Sequence, residues 1–209
     1  MFTTSIIRDA LASYQPRLVD PEADTRQAAV AIILREQPAG YGSVGEYGDV
    51  LFIQRAERQG DPWSGQMAFP GGHREATDPS LKAAAMRETQ EEIGLSLAGA
   101  EYLGALDHQQ AQPRGRVLNM LIAPHVFITK DSVDFQPNRE VAEVVWAPLA
   151  TLSGNTLHDT QTLPVAGTPT IFNGYRLSGG HFVWGLTYRI LKTFFSAIDP
   201  QWQPPQEIE

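Results

Sequence analysis

The chain has no cysteine. That absence removes disulfide staples, thiolate nucleophiles and thiolate-held metal centres together, and it suits a reducing compartment. Positive charge is also scarce: 16 Lys and Arg stand against 24 Asp and Glu, for a formal charge of −8. Broad binding to nucleic acid or to an anionic membrane rests on clustered Lys and Arg, so neither is expected as a partner. No apolar run approaches the roughly 18 residues that a membrane-spanning helix needs. Met1-Phe2-Thr3-Thr4-Ser5 opens no basic-then-apolar leader. The expected location is cytoplasmic. There is no internal repeat and no composition break that would mark a second domain.

What is present is the composition of a globule. Hydrophobic residues make up 42% of 209 positions and charged residues 19%, enough apolar material for one well-buried core. The expectation is a single domain over residues 1–209, with residues 1–27 as an N-terminal helical extension and the proline-rich 199–209 as a flexible tail. Ile6, Ile7, Ala10, Leu11 and Tyr14 recur at helical spacing before Pro16, which predicts a helix over Ser5 to Tyr14.

The apolar runs Ala28 to Leu34 and Val50 to Ile53 read as paired strands. The glycine-rich residues 40–48 between them lack the Lys-Ser/Thr ending and following helix of a phosphate-binding loop, and so read as a plain flexible hairpin. Ala100 to Leu106 and Val117 to Ile128 supply two more strands, joined by a polar stretch that carries Arg114 and Arg116. Glu140 to Leu149 reads as a strand entering a short helix. Ser153 to Pro169 reads as an irregular cover, Ile171 to Leu177 as a strand, and Phe182 to about Ile198 as an aromatic-rich packing helix. His108 and His125 have no partners at metal-ligand spacing and are assigned no role. The apolar strands and aromatics leave room for a homodimer interface.

The most informative stretch is Gly65 to Leu95. Asp78 suits an N-cap, Pro79 a first helical position and Gly94 a left-handed end, which predicts a helix over Pro79 to Ile93. At 100° per residue, Leu81, Ala84, Ala85, Glu88, Glu91 and Glu92 fall in one stripe about 120° wide. The stripe is apolar first and acidic afterwards. Three carboxylates aimed beside a core raise one another's pKa, and they also oppose the helix dipole. A divalent cation answers both objections. The plainer alternative is a solvated face steadied by an Arg87–Glu91 pair at i,i+4.

Arg87-Glu88-x-x-Glu91-Glu92-x-Gly94-Leu95, behind Phe69-Pro70-Gly71-Gly72, resembles the Nudix box, the signature of hydrolases of nucleoside diphosphates linked to another moiety. Three positions depart from the pattern: Asp78 stands for the upstream glutamate, eight residues instead of seven separate it from Arg87, and Thr89 replaces an aliphatic. The Phe-Pro-Gly-Gly turn, the longer spacer and Val183-Trp184-Gly185-x-Thr187 are similar to the coenzyme A-directed branch. That branch places an arginine where this chain has Asp61, and Arg55 lies one residue further from Gly65 than the branch pattern.

The resemblance implies an α/β fold, a Nudix-type α/β/α sandwich with a mixed β-sheet. It also implies metal-dependent cleavage of a pyrophosphate linkage in a small-molecule nucleotide-diphosphate substrate, with coenzyme A or a derivative as the first choice. ADP-ribose or a dinucleotide is the second choice, and a non-catalytic nucleotide-sensing module is the reading from another class. Glu88, Glu91 and Glu92 would hold Mg²⁺, with Mn²⁺ as the alternative metal, and Arg87 would orient the glutamates. Glu88, Glu91 or Glu140 would serve as general base, and Gly71 and Gly72 would approach the substrate. Arg55, Arg58 and Arg114 are candidate phosphate contacts, set against the plainer reading of solvated arginines.

Overall fold

The computed structural model describes residues 3–36, 48–61, 63–111, 118–130, 134–165 and 167–208. The predicted Gly-rich hairpin, Arg114 and Arg116 lie outside these ranges, apart from Gly48.

The N-terminal helix α1 runs Thr4–Ser13, capped by Thr3, whose hydroxyl accepts from Ile6 N at 3.2 Å. It buries Ile7 and Leu11 and leaves Ile6 45% exposed, so only part of the expected stripe faces inward. Strand β1 (Arg26–Glu36) pairs antiparallel with β2 (Gly48–Arg55), as the two apolar runs predict. Two short strands, β3 (Met67–Ala68) and β4 (Gly71–His73), flank the Phe69-Pro70 turn. Helix α2 (Leu81–Ile93) follows. Then come β5 (Glu101–Ala105), β6 (Gln109–Gln110), β7 (Met120–Thr129), β8 (Val141–Pro148) and α3 (Leu149–Ser153).

The main sheet is mixed. β1 and β7 run parallel over ten residue pairs, from Arg26↔Met120 to Arg35↔Thr129, and the other pairings are antiparallel. The strand path is β3-β2-β1-β7-β5, with β4 beside β1, β6 beside β7 and β8 beside β2. Period-2 alternation along β1 and β2 explains the layering. Ala29, Ala31, Ile33, Leu51 and Ile53 face Ala84, Ala85 and Ile93 of α2. Ile32, Leu34, Val50 and Phe52 join the opposite core, with Ile7 and Leu11 of α1. Strands covered on both faces read as continuous apolar runs, which is why they were legible.

The C-terminal part departs from expectation in three places. Residues 153–169 contain a regular strand, β9 (His158–Val165), which pairs antiparallel with β10 (Thr168–Arg176) across a turn where Gly167 has φ 84°. This sheet is only half buried, so its strands are threonine-rich and polar rather than apolar. Phe182 opens a third strand, β11 (Phe182–Trp184), and the last helix, α4, begins only at Gly185 and ends at Ile198. Helix α4 joins the same core as α1, with Ile190, Leu191, Phe194 and Phe195 buried.

The third departure is the tail, which stands as a flexible segment in the sequence but is tied down in the fold. Trp202 Nε1 donates to Ser153 O at 2.8 Å, and its ring lies 5.2 Å from that of Phe195. Asn173 and Ile208 exchange two hydrogen bonds, at 2.9 and 3.0 Å, and Lys192 pairs with Glu207. An aromatic anchor and paired backbone groups outweigh what the proline content suggests. No helix among the described residues is long and apolar enough to cross a membrane.

Candidate active site

Helix α2 starts two residues later than Pro79. Its N-cap is Ser80, whose side chain accepts from Ala83 N at 3.1 Å. Asp78 is therefore not the cap. It is buried at 6% exposure, and its carboxylate receives Glu75 N at 2.8 Å and two hydrogen bonds from Arg87, at 3.1 and 3.0 Å. The Arg87 bonds hold the Asp78 pKa below the usual carboxylate range, with the Glu75 N–H adding to the effect. At the other end Gly94 takes φ 75°, the left-handed conformation expected of it.

Arg87 is the hub of the site. Its Nη2 also donates to His73 O at 2.9 Å, while Nη1 reaches Glu88 at 3.0 Å and Glu91 at 3.1 Å. The guanidinium therefore ties the strand that carries Gly71 and Gly72, the loop acid Asp78 and two helix glutamates into one frame. Asp78 first, with Glu88, raises the Arg87 pKa. The plain i,i+4 pair with Glu91 is real, and it coexists with the larger network.

The three glutamates differ in setting. Glu92 is buried at 3% exposure and accepts from Gly71 N at 2.9 Å. Burial pushes its pKa up to about 7, with neighbouring Glu88 and Glu140 adding repulsion and Gly71 N–H opposing. Glu88 is partly buried, and desolvation raises its pKa against the pull of Arg87. Glu91 sits at the edge of the stripe with its side chain 55% exposed. Gly72 lies against Glu88: a Cβ built there would come within 2.5 Å of the Glu88 carboxyl carbon. The Gly-Gly turn is the close approach that lets the helix carboxylates reach the sheet edge.

Glu140, at the start of β8, lies near enough to raise the Glu92 pKa, so the fold brings this distant residue to the helix glutamates. Its carboxylate accepts from Arg58 Nη1 and Nη2 at 3.2 Å each. Arg55 Nη2 donates to Asp61 at 2.7 Å, and its Nε is buried with no partner among the described residues. The acid that stands where the coenzyme A pattern has arginine is thus the counter-ion of the displaced strand-end arginine. Among the described residues no three His, Asp or Glu groups converge closely enough to hold a metal ion. The reason is visible in the contacts: Arg87 draws Glu88 and Glu91 to itself, and Glu92 turns to Gly71. The donors are nonetheless of one chemical kind, hard carboxylate oxygens held beside a close-approach glycine, and that set fits Mg²⁺ or Mn²⁺ rather than a thiophilic metal.

The NUDIX domain model matches residues 24–165. The chain belongs to the Nudix hydrolase family. An uncharacterised protein of Schizosaccharomyces pombe is 38% identical over 156 residues, covering 68% of this chain, which spans about half (47%) of that relative's length. The uncharacterised Nudix hydrolase NudL of Salmonella paratyphi B is 31% identical over 182 residues, 85% of each chain. A MutT/nudix family protein from Enterococcus faecalis shares the fold, with a TM-score of 0.54 at 16% identity over 95% of this chain and 76% of that one.

Sequence reasoning missed the lining on the far side of the Nudix turn. A cavity of about 200 Å³ takes in Arg55, Gly71 and Gly72, together with Trp184 and Thr187 from the C-terminal segment. A second, of about 420 Å³, shares Gln66, Met67 and Trp184 with it. Thr187 is buried with its hydroxyl donating to Met67 O at 3.0 Å, which fixes α4 to the loop before the Nudix turn. The motif at 183–187 was the only signal for this wall.

Proposed function

We propose that this Nudix protein hydrolyses the pyrophosphate linkage of a nucleoside diphosphate joined to a second moiety. The observation that carries the reading is Glu92, a carboxylate buried beside Glu88 and held by Gly71 N–H. Two acids placed so closely raise one another's pKa, and a divalent cation between them would hold both as anions.

In this reading Glu88, Glu91 and Glu92 hold a divalent metal, Mg²⁺ first. Such an ion, when bound, neutralises the diphosphate oxygens and lowers the pKa of its water. Arg87 is a positioning residue, since its donors are spent on Asp78, Glu88, Glu91 and His73 O. Glu88, Glu91 or Glu140 takes the proton of the attacking water, and Arg58 orients Glu140. Arg55 meets phosphate in the smaller cavity, with Asp61 fixing one edge of its guanidinium. Gly71 and Gly72 admit the diphosphate to close backbone approach.

Coenzyme A or a derivative is the first substrate choice, on the Phe-Pro-Gly-Gly turn and the Val183 to Thr187 motif. ADP-ribose or a dinucleotide is the second. The test is a Mg²⁺ assay of coenzyme A, ADP-ribose and a dinucleotide, with products separated by chromatography. Two phosphate-bearing products are expected from at least one of them. A diphosphate that binds and raises the melting temperature without being cleaved would move the chain to the nucleotide-sensing class.

A further inference from the structure

The larger cavity is unlike a phosphate site. No Lys, Arg, Asp or Glu lines it among the described residues. Its polar groups include the carboxamides of Gln54, Gln66 and Gln161, and its apolar walls include the rings of Phe182 and Trp184. Phosphate recognition needs cations or arrays of charged donors, whereas carboxamides match amides and hydroxyls in both directions. About 420 Å³ is within the usual range for a ligand cavity.

The lining is held firmly. Gln161 Oε1 accepts from Arg176 Nη2 at 3.3 Å, which turns its NH₂ group the other way as a donor. The same guanidinium stacks 4.9 Å over the Phe182 ring, and the Trp184 ring packs 4.6 Å from that of Phe172. His181 at the edge is paired with Glu143 at 3.2 Å. Gly179 and Gly180 also line the cavity, with φ of 80° and 87°, and so contribute bare backbone. His181, Phe182 and Trp184 lie beyond residue 165, where the Nudix match ends, so this cavity is built partly by the chain's own C-terminal segment.

Gln66, Met67 and Trp184 line both cavities, and Gly71, Gly72 and Arg55 line the smaller. A diphosphate at the Gly-Gly turn therefore has the larger cavity adjoining its own. Resting on the diphosphate reading above, we infer that the larger cavity is the specificity subsite for an uncharged arm of the substrate bearing amides or hydroxyls, read by Gln54 and Gln161. A second half that carries further phosphates would be left without cations there. The chain thus selects a nucleoside diphosphate joined to a neutral polar arm over a dinucleoside polyphosphate.

The experiment combines kinetics with a fragment. Steady-state rates are measured on coenzyme A, ADP-ribose and diadenosine tetraphosphate with wild type, Gln54→Leu and Gln161→Leu. One lost hydrogen bond is worth about 3- to 10-fold, so each variant raises KM by that factor on whichever neutral-arm compound is cleaved, with kcat little changed. Rates on diadenosine tetraphosphate are lower in wild type and unaffected by either change. Separately, pantetheine, a neutral diamide without phosphate, shifts the Gln54 and Gln161 side-chain amide resonances.

If diphosphates are cleaved but both variants match wild type and pantetheine shifts nothing, the subsite is overturned and the hydrolase reading stands. If nothing is cleaved but pantetheine shifts both amides, the hydrolase reading fails and the subsite stands. Preference for diadenosine tetraphosphate overturns the selectivity outright.

Discussion

The missing side chain of Gly72 and the carboxylate of Glu88 compete for one place, since a Cβ there would lie 2.5 Å from the Glu88 carboxyl carbon. The atoms displaced are the far end of a flexible side chain, so the fold tolerates the substitution and the site does not. Gly72→Ala is expected to keep its melting temperature within a few degrees, while kcat/KM falls about 100-fold or more because a displaced carboxylate misplaces the chemistry. Gly71 is the contrast. Its φ is 152°, and a Cβ would lie 2.2 Å from Ala29 O in the neighbouring strand. Gly71→Ala should cost about 3 kcal/mol of stability, read as a lower denaturation midpoint, before activity is considered. Equal loss of stability in both variants would contradict this division.

Glu92→Gln separates charge from fold. The amide oxygen still accepts from Gly71 N, and the variant removes a buried carboxyl with a pKa near 7. Its stability in chelator should match or exceed that of wild type, while metal-dependent turnover disappears. Unchanged turnover would show that the metal site is elsewhere.

The Arg87–Asp78 pair is buried on the acid side and mostly buried on the other. Asp78→Ala leaves the guanidinium with two hydrogen bonds fewer and frees the turn at Glu75, at a cost of about 3 kcal/mol. Because Arg87 also holds Glu88 and Glu91, the variant should weaken metal affinity, measured by titration, although Asp78 touches none of the three glutamates. Loss of stability without loss of metal affinity would make Asp78 purely structural.

How much of this was legible follows from the physics of each part. Ala84, Ala85, Glu88 and Glu92 were readable because a helix on a sheet imposes one inward stripe, and acids inside it stand out. β1, β2 and β7 were readable because they are covered on both faces. Ser80 was passed over because Asp78-Pro79 also makes a good helix start, and the choice turned on Arg87, a tertiary contact nine residues away. The strand β9 was hidden because a half-exposed edge strand leaves no apolar run. Gln161 and Trp184 came to the site from a separate sheet; the motif at 183–187 hinted at Trp184, and nothing local to Gln161 announces its place.

The tail makes a stability prediction that its composition would not. Trp202 donates to Ser153 O and packs on Phe195, and Ile208 is bonded twice to Asn173. Ending the chain at Gln201 should lower stability by about 3 kcal/mol, mostly through the indole, and the melting temperature by roughly 10 °C. Trp202→Ala alone should reproduce most of that loss. A truncated chain as stable as the full one would return the tail to the flexible class.

His125 supplies the pH dependence. It lies at 7% exposure in β7, Tyr102 OH bonds its Nδ1 at 3.0 Å, and its Nε2 is buried with no partner among the described residues. Burial, with His108 and Lys82 nearby, pushes its pKa down to about 4 from 6.5. Between those values the unfolded chain binds the proton and the folded chain does not, so acid favours unfolding. The contribution is absent above pH 7, grows as pH falls through 6.5, and levels off below about 4 at roughly 3 kcal/mol. Glu92 has a raised pKa and pulls the other way over part of this window, so the wild-type curve alone is ambiguous. The clean measurement is the stability of wild type minus that of His125→Gln, by urea unfolding at several pH values. That difference should be flat above pH 7 and fall against wild type towards pH 4, and a flat difference throughout would mean that His125 is protonated equally in both states.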